Sequence, residues 1–183
     1  MPGIFFTKYF ERLSTAFKDI DPAELEKSAH LIREAGARNG RIFFGGNGGS
    51  AAIASHAAID FTKAAGISSE CFNEASLITC FANDYGYQHW LEKALEFHAS
   101  RHDVAILISS SGRSPNILNA AKKARELGMT LITLSGFDAD NPLKALGDVN
   151  LWVESRSYNI VENVHQVWLL AICDRLAGSD FTA

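Results

Sequence analysis

The residues best suited to chemistry gather in two Gly/Ser-rich turns. One is Gly45-Gly46-Asn47-Gly48-Gly49-Ser50, and the other is Ser109-Ser110-Ser111-Gly112-Arg113-Ser114. Each follows a short apolar run and opens a helical pattern, the arrangement by which an α/β protein holds phosphate. Glycines let the backbone come close to a ligand, and unpaired N–H groups at a helix start point at it. Serine hydroxyls add donors at low steric cost. Two such turns in one small chain suggest a single phosphorylated ligand held from two sides.

Gly46, Gly48 and Ala51 fit G-x-G-x-x-A spacing, but no acidic residue follows a next strand where a ribose would need it. Lysine is absent after the glycines, so a Walker loop is also excluded. In the second turn the hydroxyls of Ser109, Ser111 and Ser114, with N–H groups ahead of a helix starting at Pro115, can satisfy a phosphate's three oxygens. Two tight turns without a ligand are the plain structural alternative.

Such turns need a scaffold. Phe6, Phe10, Leu13, Phe17 and Ile20 recur at helical spacing and predict a helix over Phe5 to Ile20. Asp21-Pro22 reads as N-cap and first-turn proline of a second helix running to about Asn39-Gly40. Phe6, Phe10 and Phe17 are large for a solvated surface, so this pair (residues 1–40) is expected at a contact with another subunit; packing on its own domain is the alternative. Strands are predicted at Ile42–Phe44, Cys71–Phe72, Val104–Ile108, Leu131–Leu134 and Val149–Val153. Helices are predicted from Ser50 to about Ala65, Ser76 to Ala82, Tyr87 to Ala99, Pro115 to Leu127 and Ile160 to Leu176. Five strands separated by helices imply right-handed crossovers and one α/β domain over 1–183. That is a doubly wound, flavodoxin-like parallel sheet, with ligands at the carboxyl ends of its strands.

Composition narrows the function classes. With 183 residues, 47% apolar and 21% charged, the chain suits one soluble domain. A net charge of −4 offers no basic face for nucleic acid. No apolar run approaches the ~20 residues needed to cross a membrane. Cys71, Cys80 and Cys173 lack metal-finger or redox-pair spacing, and Met1-Pro2-Gly3-Ile4-Phe5-Phe6 lacks a basic leader, so a cytoplasmic location is expected.

Three segments in order, Gly46 to Ser50, Asn83-Asp84-Tyr85-Gly86-Tyr87 and Ser109 to Ser114, resemble the phosphoheptose isomerase branch of the sugar isomerase (SIS) family. The resemblance covers most of the chain. It implies interconversion of sedoheptulose 7-phosphate and an aldoheptose 7-phosphate, in a homotetramer with active sites between subunits. It also implies that Ser50, Ser109, Ser110, Ser111 and Ser114 hold the phosphate, beside Gly48 of the first turn, while Asn47, Asn83 and Asp84 contact the sugar.

The family carries a His and, four residues later, a catalytic Glu on the helix after the first turn; the matching residues are His56 and Asp60. That spacing sets both on one helix face. On the closing helix the family has a Gln and, eight residues on, a His that is the second acid/base; here Glu162 and Leu170 stand in those places. Leucine cannot transfer a proton. Asp60 and Glu162 are therefore the expected catalytic pair, with His56 and His165 as further candidates. Some relatives bind zinc through these helices, which implies His56, Asp60 and Glu162 as a ligand set for Zn2+. A non-catalytic SIS protein that binds a phosphosugar or serves assembly is the rival reading, favoured by Leu170.

Overall fold

The computed structural model describes residues 3–180; Met1, Pro2 and positions 181–183 lie outside the described residues. Five strands, β1 (Ile42–Gly45), β2 (Ser69–Cys71), β3 (Val104–Ser109), β4 (Thr130–Ser135) and β5 (Val149–Trp152), form one sheet in the order β2-β1-β3-β4-β5. Every pairing is parallel, as the alternation of strands and helices predicts.

The sheet separates two apolar layers, and strand alternation sorts side chains between them. Ile42, Phe44, Val104, Ile106 and Ile108 face helices α1 (Ile4–Lys18), α2 (Pro22–Ala37), α3 (Gly49–Lys63) and α7 (Tyr158–Ala177). Phe43, Ala105 and Leu107 face α4 (Ala75–Tyr85), α5 (Trp90–His98) and α6 (Pro115–Glu126). Both faces of β1 and β3 are fully buried, which explains why they read as continuous apolar runs.

Several predicted boundaries move. Helix α2 ends at Ala37, before Asn39, whose φ of 59° is left-handed. The edge strand is Ser69–Cys71 because its register is set by β1, Ser69 opposite Ile42. Helix α4 begins one residue early because the Glu74 carboxylate accepts from Leu77 N at 3.0 Å, and it runs on to Tyr85. Helix α5 starts only at Trp90. The N-terminal pair docks on its own domain at one side: Trp168 Nε1 donates to the Phe17 carbonyl at 3.0 Å, and Arg12 reaches the Glu154 carbonyl. Phe17 packs against the core, whereas Phe6 and Phe10 are 60% and 61% exposed.

Candidate active site

Strands β1 and β3 are neighbours whose following chains leave in opposite directions, so a crevice opens beyond their carboxyl ends. Both Gly/Ser turns end there. Asn47, Gly48, Gly49 and Ser50 form one wall of a cleft of ≈ 270 Å³, and Ser109, Ser110, Ser111 and Ser114 form the other. Tyr158 and Glu162 from α7 close it.

The backbone supplies the positive end. Helix α3 starts behind Gly48 with no side-chain cap, so its first N–H groups stay available. Helix α6 starts behind Ser114, whose hydroxyl also leaves the cap empty and instead meets Ser109 Oγ at 3.0 Å. Two helix N-termini thus converge on the space between the turns, which favours an anion there. The Ser110 hydroxyl is buried and, among the described residues, has no hydrogen-bond partner. Glu162 is the only charged residue among the described lining. Arg113 of the second turn pairs with Asp138 and Asp140, each at 3.7 Å.

Gly112 shapes the second turn. Its φ is +63°, and a Cβ there would collide with the Asn141 side chain. Gly49 serves a different need: a Cβ on it would collide with the Glu162 carboxylate. Glu162 therefore lies directly over the first turn of α3. Burial pushes its carboxyl above the ordinary range.

The first turn is held by amides that the sequence did not single out. Asn73 clasps Gly46, accepting from its N–H at 3.2 Å and donating to its carbonyl at 2.8 Å. Asn47 and the buried Asn116 exchange amide hydrogen bonds, both at 2.9 Å, and Tyr87 donates to Asn47 Oδ1 at 3.1 Å. The position of Asn116, just after Pro115 at a helix start, is the one sequence signal that could have marked it.

On α3, His56 and Asp60 do share a face: Nε2 lies 3.1 Å from Asp60 Oδ2. Gln166 of α7, also unforeseen, places its Nε2 3.1 Å from His56 Nδ1. Both ring nitrogens are engaged. Among the described residues no three His, Cys, Asp or Glu side chains converge as a metal site requires. The expected set of His56, Asp60 and Glu162 is not brought together, because Glu162 is drawn over Gly49 while His56 is held between Asp60 and Gln166. The residues present do not fit zinc.

His165 is a second correction. It is fully buried, off the cleft, with Nε2 3.0 Å from the Ser135 carbonyl. Desolvation holds its pKa down at about 4, so it stays neutral and structural. Asn83 and Asp84 lie exposed at the end of α4, with Asn83 Nδ2 donating to Asp84 Oδ1 at 2.9 Å, and neither lines the cleft. Leu170 is half-buried on α7.

Comparison with known proteins accords with this geometry. The SIS domain family model matches residues 5–136, which include both turns and stop short of α7. A phosphoheptose isomerase of Helicobacter pylori strain P12 is 36% identical over 156 residues, covering 82% of this chain and 81% of the relative. Another from Aliarcobacter butzleri is 36% identical, covering 81% and 82%. The solved structure of the phosphoheptose isomerase from Neisseria gonorrhoeae superposes with a TM-score of 0.87 at 29% identity, over 96% of each chain. With its doubly wound sheet, paired phosphate-type turns and these relatives, the chain belongs to the SIS domain family, in its phosphoheptose isomerase branch.

Proposed function

We propose that the chain is an aldose–ketose isomerase acting on sedoheptulose 7-phosphate or a similar heptose phosphate. The carrying observation is the cleft itself, where two uncapped helix N-termini and five serines face one partly desolvated carboxylate. The phosphate lies between the turns, held by N–H groups and by the hydroxyls of Ser50, Ser109, Ser110, Ser111 and Ser114. Asn47 meets the sugar.

Isomerisation moves one carbon-bound proton and one hydroxyl proton. A carboxylate removes a proton from C1 of the ketose, the C1–C2 enediol forms, and the proton returns to C2. Asp60 is the base. Glu162 carries the hydroxyl proton from O1 to the C2 oxygen, for which a carboxyl raised toward its neutral form is suited. A phosphate dianion across the cleft raises it further by like-charge repulsion. Glu162 thereby does the work of the histidine that Leu170 replaces.

A homotetramer in the cytoplasm, with α1 at an interface, is part of this proposal; Phe6 and Phe10, one helical turn apart, are exposed with Ile4 and Phe5 nearby, an apolar end that a second copy would cover. Among the described residues no helix is long and apolar enough to cross a membrane.

The test is incubation with sedoheptulose 7-phosphate in heavy water, following deuterium entry at C1. Exchange in the wild type that falls by about 10²–10⁴ in Asp60→Asn supports the proposal. Tight binding of the phosphosugar with no exchange would replace it with a non-catalytic binding protein.

A further inference from the structure

The hydrogen bonds of His56 raise a question of their own: the ring joins two helices, and one of its partners is an amide. Gln166 stands one turn beyond Glu162 on α7 and one turn before Leu170, so the three share a stripe on the helix that packs against α3. Its Nε2 lies 3.1 Å from His56 Nδ1, and His56 Nε2 lies 3.1 Å from Asp60 Oδ2. An amide nitrogen only donates, so Nδ1 must offer its lone pair. The neutral ring then carries its proton on Nε2 and donates it to Asp60. Rotating the amide would put its oxygen on Nδ1 and demand a proton there. That would set a bare Nε2 lone pair against a carboxylate oxygen, so the two ends of the ring favour the same arrangement.

We propose that Gln166 is a positioning residue for the isomerase: it fixes the proton of His56 on Nε2, and His56 in turn anchors Asp60 Oδ2, leaving Oδ1 free as the base. The proposal rests on Asp60 being the base. It accounts for how a short side chain works at this place. Aspartate has one methylene fewer than glutamate with which to find the substrate, and an orienting donor limits the angles it can waste. Gln166 does this without titrating, so the string keeps its sense at any pH at which the ring is neutral.

The ring proton can be read directly, without substrate. In the ¹⁵N-labelled protein at about pH 8, above the ordinary imidazole range, two-bond ¹H–¹⁵N correlations of His56 should show Nε2 protonated and Nδ1 bare. Gln166→Leu, and Gln166→Met as a second variant that keeps the length, leave only Asp60 to hold the proton on Nε2 and should raise the share of the Nδ1-protonated form. Their kcat for C1 exchange should fall about tenfold with KM within about twofold, the signature of lost orientation rather than lost binding. A wild-type ring protonated on Nδ1, variants with the wild-type ring pattern, or an unchanged kcat would each overturn the assignment. Absence of C1 exchange in the wild type counts instead against the isomerase reading on which the proposal rests, and the ring pattern alone then decides whether Gln166 sets the tautomer.

Discussion

A single hydroxyl shows how the cleft is prepared for its ligand. Ser110 Oγ is buried without a partner among the described residues, an arrangement that costs about 1–3 kcal/mol. Ser110→Ala should therefore raise the unfolding free energy by about 1 kcal/mol while weakening phosphosugar affinity about tenfold. Urea titration and calorimetric binding would check the two halves. Glu162 gives a prediction in pH. Its raised carboxyl must be protonated to donate, so kcat should fall as the pH climbs through that raised value. Glu162→Gln should lose most of the activity and, in what remains, this alkaline limb; a pH–rate profile that keeps the limb assigns the proton to another group. At this scale the serines, Asn47 and Asp60 were legible because turn chemistry and spacing are local. Asn116 and Gln166 were not, since each meets its partner across 69 and 110 residues of chain, and an amide inside a helix leaves no periodic mark.

Among the elements, the second turn is tightly constrained. Gly112 donates to the Ser109 carbonyl and accepts from Leu143 N, so it ties β3 to the segment after β4. Asn141, which occupies the space a Cβ would need, donates to the Asp138 carbonyl at 2.8 Å and accepts from Lys144 N at 3.1 Å. Gly112→Ala should cost about 2–4 kcal/mol, combining left-handed strain with that collision. A thermal melt would measure it, and a shift within error would mean the turn can rearrange. Central strands and most helix cores were readable from apolar runs and 3.6-residue periodicity. Ends were less so. The Glu74 cap and the pairing of Ser69 with Ile42 depend on tertiary placement, which no window of sequence contains.

For the whole molecule, His165 couples stability to acid. An unfolded imidazole protonates near 6.5 and this buried one only near about 4. Stability is thus complete above 6.5 and declines as the pH falls toward 4, because the unfolded chain takes the proton first. The full loss is about 3 kcal/mol. His165→Gln, which keeps a donor for the Ser135 carbonyl, should flatten that decline in urea midpoints compared at about pH 7 and about pH 5. The proposed assembly has its own test at the surface: Phe6→Glu with Phe10→Glu should reduce the mass found by light scattering, and an unchanged mass would count against α1 as an interface.

The packing of α7 also bears on how the protein is born. This helix is the last described element to leave the ribosome, yet it covers α1, α2 and α3, which leave first. The phosphate cradle is encoded before it, and the SIS match ends at residue 136, before the helix begins. A nascent chain can therefore assemble its anion site early while its oldest helices wait with an uncovered apolar face. Ribosome-stalled chains ending just before Tyr158 should bind chaperones in place of a folded partner helix, and release them once α7 emerges.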